Sequence, residues 1–581
     1  MVASPSHAPD PVLLSLFGNR FMSVAEAMGR SLQLTSISTN IKERLDFSCA
    51  LFAPNGDLIA NAPHLPVHLG SMSFAVRYQV EHLGVGPDAP SGDGIVDGDV
   101  LLTNSPQAGG SHLPDITAIT PVFDQAKKNI IFFVASRGHH ADVGGILPGS
   151  MPPTSTTIFE EGAQIKTFKV VRAGKYDHEG LVKRLVDEPA SYPGCSGTRC
   201  LRDVESDLQA QIAANNRGVQ LLTALINEYD LETVQRYMGF IRDNAEVAVR
   251  HLLKTAAKRA GKNRLHAIDY MDDGSPIELT ITIDEETGSA TFDFEGTGPE
   301  SFSSLNAPVS VCSSAVIYCL RILVDEEIPL NAGCLAPITL KIPEASILNP
   351  TETAAVVGGN VVTSQRVTDV VLRCFEAVAA SQGCFTFGAE SWGYYETIAG
   401  GSGAGPSWDG ESGIHCHMTN TRITDPETLE RRYPCILHEF SIRDGSGGAG
   451  QHKGGDGVVR DMEFLVPLQV SILSERRVNQ PYGLKGGMPG ERGRNIWLKQ
   501  RRKEDGDWKA DNQQPRRINL GGRNTVKMGA GDRIVLHTPG AGGFGSEGEA
   551  KENATVSGKA ANGFLGVMGS LAERAAAQLG V

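Results

Sequence analysis

The sequence predicts a mixed α/β fold of the α+β type, built in several layers and divided into two large regions and a short tail. Three observations support this prediction. Apolar residues recur at helical spacing between 203 and 252 and then alternate between 277 and 294, which is typical of two amphipathic helices followed by a β-hairpin. Glycine supplies 66 of the 581 residues and clusters at 400–405 and 445–455, so we expect ordered tight loops in a strand-rich C-terminal region.

Each of the two predicted helices carries one apolar stripe. In the first helix the stripe comprises Leu208, Ile212, Val219, Leu222 and Ile226. In the second, which begins after Asp230, it comprises Val234, Met238, Ile241, Ala245, Val249 and Leu252. Residues three or four apart share a face of a helix, so both helices are expected to pack against a core.

The hairpin marks a change from helical to strand periodicity, and we place a boundary between two regions of the chain near it. Its first strand alternates apolar and polar residues up to Ile283, a turn follows at 286–288, and the return strand contains Phe292. We therefore divide the chain into an N-terminal region (1–265), a strand-rich C-terminal region (266–546) and a flexible or helical tail (547–581).

The charge and the apolar content of the chain argue against nucleic acid and membranes as partners. The formal net charge is −14 and the sequence pI is about 5.6, so the chain offers no general attraction to nucleic acid or to anionic lipid. No stretch reaches the roughly 20 apolar residues of a membrane helix, and the opening MVASPSHAPDP does not resemble a secretory signal. We expect a cytosolic protein that binds neither nucleic acid nor membrane.

Histidines and aspartates cluster after two short apolar runs. The run VLLT leads into NSPQAGGSHLPDIT, which presents His112 and Asp115 three residues apart. The run IIFFVA ends at SRGHHADVGG, which contains His139, His140 and Asp142. If both runs are strands that meet at one edge of a sheet, their imidazoles and carboxylates form a ligand set suited to Mn, Fe or Zn. The alternative is that these are hydrogen-bonded loop residues.

Two further histidines lie upstream in NAPHLPVHLGSM. His64 and His68 are four residues apart, which on a helix would align their side chains, but Pro66 between them favours a loop. A two-histidine helical zinc site is therefore not expected. His68 either lines a pocket or is satisfied by backbone groups.

Together, NSPQAGGSHLPDIT and RGHHADVGG resemble the hydantoinase B/oxoprolinase family. The resemblance continues in order from about residue 11 to 546. Other segments that carry it are NIKERLDFSCALF, PGSMPPTSTTIFEEGA, SGTRCLRDVESDLQAQIAANNRG, GGNVVTSQRVTDVV, YYETIAGGSGAG, MTNTRITDPETLE and TPGAGGFG. The family implies a large, multi-layer fold of the hydantoinase B type, with the metal site in the N-terminal region.

The resemblance also implies roles for particular residues. His112, Asp115 and His139 correspond to ligands of a divalent metal, which could be Mn, Zn, Fe or Mg. His140 and Asp142 are left as catalytic candidates beside the metal, with Asp142 as a possible base.

Three more residues are candidates for the substrate pocket: His68, Glu161 in IFEEGA and Arg366 in TSQRVTD. A solvated loop acid and a surface ion pair are the alternatives for Glu161 and Arg366. The glycines at 447, 448, 454 and 455 either offer N–H groups to an anion or are purely structural.

Within the family, GHHADVGGILPGSMPP and SGTRCLRDVESDLQAQIAANN favour the 5-oxoprolinase branch. That branch implies ATP-dependent hydrolysis of 5-oxo-L-proline, a small lactam, to L-glutamate. The resemblance implies that ATP is handled by an actin-like partner half of the hydantoinase A type. This sequence itself contains no GxxxxGK[ST] phosphate loop. We expect the chain to be inactive without that half and to work as an oligomer.

Other functions remain open at this stage. The chain could be a subunit of an N-methylhydantoinase or of an ATP-dependent ketone carboxylase. It could also be a non-catalytic remnant or a stabilising subunit. Two departures from the family pattern bear on this: SQGCFTFG is short around Cys384, and Ser105 stands where many hydantoinases have Asp.

Overall fold

The computed structural model describes residues 9–62, 64–325, 328–383, 385–389, 394–501 and 514–548. Cys384 itself and nearly all of the predicted tail lie outside the described residues. Within the described part of the chain, none of the helices combines the length and the apolar character needed to cross a lipid bilayer.

The helices range from single turns to two of about eight turns. In chain order they are α1 (Pro11–Thr35), α2 (Thr39–Lys42), α3 (Ser71–Leu83), α4 (His178–Val182), α5 (Glu188–Ala190), α6 (Leu201–Tyr229), α7 (Leu231–Ala260), α8 (Val309–Leu323), α9 (Ser364–Cys374) and α10 (Pro426–Arg432). The predicted helical pair is confirmed as α6 and α7. Asp230 separates them with a left-handed φ of 67°, and its side chain accepts a hydrogen bond from the backbone N–H of Thr233, which caps α7.

A seven-stranded antiparallel sheet forms the N-terminal region. Its strands are β1 (Phe47–Phe52), β2 (Leu58–Asn61), β3 (Val100–Thr103), β4 (Asp115–Phe123), β5 (Ile130–His139), β6 (Phe168–Arg172) and β7 (Lys175–Tyr176), in the spatial order β2-β1-β5-β4-β3-β6-β7. Helices α1 and α6 pack on one face, and the apolar side of α3 packs on the other. Strands β4 and β5 are therefore buried on both faces, which explains their nearly continuous apolar sequence.

A four-stranded sheet follows α7. Its strands are β8 (Arg264–Tyr270), β9 (Pro276–Ile283), β10 (Ala290–Asp293) and β11 (Ile338–Lys341), in the order β11-β10-β9-β8. The antiparallel pairing of β9 with β10 confirms the predicted hairpin. The core on this sheet also takes in the second half of α7, together with α8 and α9, so one hydrophobic cluster spans residue 265. The division of the chain at that residue stays a prediction.

Two further sheets build the C-terminal region. One contains β12 (Phe385–Ala389), β13 (Tyr394–Thr397), β16 (Leu468–Ser474) and β19 (Arg523–Met528), in the order β13-β12-β16-β19. The other contains β14 (Cys435–Arg443), β15 (Gly457–Phe464), β17 (Arg494–Lys499), β18 (Arg516–Asn519) and β20 (Arg533–His537), in the order β14-β15-β20-β17-β18.

The glycine clusters of this region pack backbone against backbone. A Cβ atom on Gly447 would lie 1.9 Å from the carbonyl oxygen of Gly454, so no larger residue fits there. The N–H groups of Gly447, Gly448, Gly454 and Gly455 are all bonded within the protein, to Asp456 or to backbone carbonyls. These glycines are structural, and their N–H groups are not available to an anion.

Helix α6 is fixed to the first sheet by two buried amides one turn apart. The Nδ2 atom of Asn215 donates to the carbonyl of Ala118 at 2.9 Å and to Oγ1 of Thr120 at 3.0 Å. The Nε2 atom of Gln211 donates to the carbonyls of Ile116 and Ser136 at 3.1 and 2.9 Å. Gln211 and Asn215, the buried polar residues of LQAQIAANN, thus bind the strands that α6 covers.

We expect Asn215→Ala to lower the free energy of unfolding by about 1–3 kcal/mol, because it removes both hydrogen bonds of a buried amide. Urea-induced unfolding followed by circular dichroism measures this loss. The matched control is Asn216→Ala, one position along and exposed, for which we expect a change within about 0.5 kcal/mol. Equal losses in the two variants would contradict the role given to Asn215.

Candidate metal centre

Strand pairing brings the predicted ligands together. Strand β4 begins at Asp115, β5 ends at His139, and these two residues lie directly opposite each other in the antiparallel ladder. Directly opposed residues point their side chains to the same face of a sheet. The two His/Asp segments therefore converge at one sheet edge, as the sequence predicts.

A tight glycine turn before β4 delivers His112. Gly109 has a left-handed φ of 82°, and a Cβ atom on Gly110 would lie 1.9 Å from the carbonyl oxygen of Asn104. Arg137, buried on β5, donates from one guanidinium nitrogen to the carbonyl of Gly109 at 2.9 Å. The turn is thereby held against the sheet, and His112 projects towards Asp115.

The three side chains present a compact set of donor atoms. Oδ1 of Asp115 lies 3.0 Å from Nε2 of His112 and 3.1 Å from Nδ1 of His139. Two metal–ligand bonds of about 2.1 Å at angles of 90–109° separate their donor atoms by about 3.0–3.4 Å, which matches. All three residues are buried, and the remaining nitrogens, Nδ1 of His112 and Nε2 of His139, have no partner among the described residues. This group can hold a metal ion.

The second oxygen of Asp115 has partners of its own. Oδ2 accepts from the hydroxyl of Ser111 at 2.6 Å and lies 3.1 Å from Nε2 of His68. Nδ1 of His68 lies 2.9 Å from the hydroxyl of Ser48. His68 ends a short 3₁₀ turn, Pro66–His68, so the sequence was right to favour a loop. His64 lies apart, where its Nδ1 accepts the backbone N–H of Cys49.

Electrostatics keep Asp115 ionised. Burial alone would raise the pKa of this carboxyl, but electrostatic attraction to the imidazoles of His112 and His68 and hydrogen bonds from His112 and His139 outweigh burial and hold the pKa well below its usual range. Burial lowers the pKa of His68, which Asp115 only partly offsets. A neutral His68 donates from Nε2 to Asp115 and accepts at Nδ1 from Ser48, so it can orient the carboxylate as outer partners do in metal sites.

An aromatic stack supports His139 from the C-terminal region. The ring of Tyr395 on β13 stacks on the imidazole of His139, with 4.7 Å between centroids and 11° between planes. The guanidinium of Arg44 lies 4.6 Å from the centroid of Tyr395. Arg44 also donates to the carbonyl of Tyr395 at 2.6 Å and to Oγ1 of Thr397 at 3.2 Å. The position of His139 thus depends on both regions of the chain.

A cavity of about 20 Å³ adjoins His139, which is room for about one water molecule. Polar and apolar side chains from both regions line it. The lining residues are Asp46, Leu65, Val67, His139, Asn360, Val361, Gln365, Tyr395, Thr397, Met418 and Thr419.

Glu161 lies close to this centre but points to backbone groups. Its carboxylate accepts from the N–H groups of Val356 and Val357 and from the hydroxyl of Ser155. Burial raises the pKa of Glu161 to about 7, against the lowering effect of these hydrogen bonds and of His112. Glu161 therefore fixes the segment that leads to Asn360, and its place in a substrate pocket stays a prediction.

The remaining predicted residues do not reach the ligand atoms. His140 follows His139, so it faces the opposite side of the sheet, where its Nε2 contacts Oε1 of Gln211 on α6 at 2.9 Å. Asp142 caps a loop by accepting from Gly144, Gly149 and Arg199. Their catalytic roles stay predictions, but the geometry gives both residues structural partners.

Arg366 is buried on α9 between Asp269 and Glu475, both at 3.1 Å. It is a buried ion pair and not the surface ion pair considered as an alternative. Its neighbour Gln365 lines the cavity instead.

Sequence reasoning missed Arg44, Asp46, Asn360 and Tyr395. Each lies in a segment that carries the family resemblance: NIKERLDFSCALF for the first two, GGNVVTSQRVTDVV for Asn360 and YYETIAGGSGAG for Tyr395. Their residue types alone gave no signal, because only the tertiary fold brings them to His139.

Comparison with known proteins gives consistent matches. The family model for hydantoinase B/oxoprolinase matches residues 10–547. The 5-oxoprolinase 1 of Arabidopsis thaliana is 58% identical over 553 residues, which cover 92% of this chain and 42% of that protein. The 5-oxoprolinase of Saccharomyces cerevisiae is 50% identical, with 92% and 42% covered. This chain thus spans about two fifths of the length of these curated relatives.

A solved structure shares the fold. The ATP-dependent caprolactamase from Pseudomonas jessenii superposes with a TM-score of 0.80 at 23% identity, covering 96% of this chain and 95% of that one. The predicted multi-layer α/β fold is confirmed.

We expect His112→Ala to abolish stoichiometric metal binding, because it removes one of three protein ligands. The loss of affinity should exceed the roughly 10–100-fold that removal of an outer partner costs. Metal content after dialysis, measured by mass spectrometry, checks this. The control is His178→Ala, an exposed histidine paired with Glu205; stoichiometric metal retained in His112→Ala would refute the ligand assignment.

We expect His68→Ala to weaken metal binding by about 10–100-fold, because Asp115 loses the imidazole that orients Oδ2. A chelator competition titration measures the affinity. His64→Ala is the matched control, since His64 lies in the same loop and bonds to Cys49. Similar affinities for the two variants would show that contact with His68 does not matter for the site.

Proposed function

The chain belongs to the hydantoinase B/oxoprolinase family, and on that premise we propose that it is the metal-bearing half of an ATP-dependent 5-oxoprolinase. The observation that carries the proposal is its identity of 50–58% to 5-oxoprolinases over 92% of the chain. The intact group of His112, Asp115 and His139 adds support. The reaction proposed is the hydrolysis of 5-oxo-L-proline to L-glutamate, at the expense of ATP.

We infer that His112, Asp115 and His139 are the metal ligands in this enzyme. Imidazole nitrogens with one carboxylate suit Mn, Fe or Zn better than Mg. A divalent cation held there would supply Lewis acidity for attack of water on an activated carbonyl carbon. Neighbouring residues of the chain would position these ligands. His68 and Ser111 orient Asp115, and Tyr395 fixes the plane of His139.

ATP activation is assigned to a partner half. An unactivated lactam resists water, so transfer of a phosphoryl group to the lactam oxygen would make the ring carbon electrophilic enough to be attacked. This chain spans 42% of the length of its 5-oxoprolinase relatives, which leaves more than half of such a protein to bind ATP. We propose an actin-like domain or subunit of the hydantoinase A type for that task. Oligomeric assembly and a cytosolic location stay predictions.

We expect the chain to release glutamate from 5-oxoproline only when it is co-expressed with an actin-like partner half and supplied with ATP. The chain alone should give no release, because it would lack the activating step. Glutamate and phosphate are measured by coupled assays. In the complex, His112→Ala should lose activity and His178→Ala should keep it.

Two alternative substrates are tested in the same preparation. ATP-dependent opening of N-methylhydantoin without glutamate release from 5-oxoproline would replace the proposal with a hydantoinase. Consumption of bicarbonate with a ketone would replace it with a carboxylase. A folded, metal-loaded complex that turns over none of these substrates would favour a stabilising subunit.

A further inference from the structure

Asn360 faces the metal centre from the C-terminal region. It is buried, lines the cavity beside His139, and places its Nδ2 atom 3.1 Å from Nε2 of His112, the nitrogen that points at Asp115. We propose that its carboxamide is a substrate-facing group, which hydrogen-bonds the reacting oxygen of the molecule that enters this cavity. This deepens the proposed function and rests on it only for the identity of that molecule.

Hydrogen-bond capacity is the first support. The Oδ1 atom of Asn360 is buried and has no partner among the described residues. Its Nδ2 has Nε2 of His112 as acceptor only while that nitrogen keeps its lone pair free. Once the lone pair is given to a cation, both ends of the amide lack a protein partner. A buried amide seldom stays unpaired, so an incoming molecule that brings an acceptor oxygen to Nδ2 and a separate hydrogen-bond donor to Oδ1 fits both ends.

The side-chain amide of Gln365, which also lines the cavity, already has hydrogen-bond partners at both ends. Nε2 of Gln365 donates to the carbonyl of Cys416 at 3.1 Å, and its Oε1 accepts the N–H of Met418 at 3.4 Å. Oγ1 of Thr397 accepts from Arg44. Asn360 differs from both in keeping an unpaired buried oxygen.

The backbone holds Asn360 rigidly, which is the second support. It lies in a single π-helical turn, Gly359–Thr363, at the start of α9, and such turns are frequent at functional sites. A Cβ atom on Gly359 would lie 2.0 Å from the carbonyl oxygen of Asn306. The hydroxyl of Thr363 donates to Leu305, and that of Ser364 donates to the carbonyl of Asn360, both at 2.6 Å. The held backbone keeps the carboxamide beside His112, where a hydrogen-bond donor aimed at a reacting oxygen is effective.

A competing role is that Asn360 only positions His112. The two roles differ in what they predict for the metal. A positioning residue would change metal affinity, as outer partners do by about 10–100-fold. A substrate-facing residue would leave metal affinity nearly unchanged and weaken the binding of a molecule beside the metal.

The test uses the full chain loaded with Co²⁺, whose visible spectrum reports on the site, and acetohydroxamate as a probe with two oxygen donors. We expect Asn360→Ala to keep Co²⁺ affinity within about threefold, and to bind acetohydroxamate about tenfold more weakly through the lost hydrogen bond. Ser364→Ala is the matched control, because it alters the same turn without touching the carboxamide. Asn360→Ser, which keeps a small polar group, replaces the alanine variant if that variant does not fold.

Unchanged acetohydroxamate affinity in Asn360→Ala would overturn the proposal. So would a fall of more than about tenfold in Co²⁺ affinity with unchanged probe binding per loaded site, which would make Asn360 a positioning residue. Failure of the wild-type chain to bind Co²⁺ would overturn both the metal site and this inference.

Kinetics of the complete enzyme provide a second test of the role of Asn360. With the actin-like half and ATP present, we expect Asn360→Ala to lower kcat for glutamate release by about 100-fold or more, as the loss of one pre-oriented donor does. If the wild-type complex releases no glutamate while the Co²⁺ measurements come out as expected, the proposed function fails and the assignment of Asn360 stands.

Discussion

The buried carboxylate of Asp115 is the constraint on which the candidate metal centre depends. A carboxylate removed from water is costly unless charged or hydrogen-bonding groups surround it. Here its two oxygens have separate tasks: Oδ1 faces the imidazoles of His112 and His139, while Oδ2 is held by Ser111 and His68. Because the contacts of Oδ2 fix the orientation of the carboxylate, Oδ1 and the facing nitrogens of His112 and His139 converge on one point.

The fold supplies these partners from parts of the chain that are far apart. The first sheet contributes Asp115 and His139 as an opposed pair, which sets their separation through the ladder itself. The C-terminal region contributes Tyr395 against His139 and Asn360 beside His112. Folding of the C-terminal region is therefore part of forming the site, although every residue of the ligand group belongs to the N-terminal region.

The features that could be predicted from the sequence are those that depend on a local pattern of residues. The helical pair, the hairpin and the two His/Asp segments each carry their signal within a few residues, and the structure bears these out. The separate roles of His139 and His140 follow from strand alternation, which sends adjacent side chains to opposite faces, but the end of β5 could not be located to one residue beforehand. Arg44 and Tyr395 could not be paired from sequence at all, since 351 positions separate them.

The proposed reaction places one more requirement on the cavity. At about 20 Å³ it accommodates a water molecule, whereas a five-membered lactam needs more room. Two hydrogen bonds join two of the loops that line it, from Val67 N–H to the Met418 carbonyl at 3.3 Å and from Asn420 Nδ2 to the His64 carbonyl at 3.2 Å. These are long contacts between loops, while His112, Asp115 and Asn360 sit on a sheet edge and a helix start. A lactam could therefore enter only if these loop contacts part, because the groups on the sheet edge and at the helix start are held by the strand ladder and by α9.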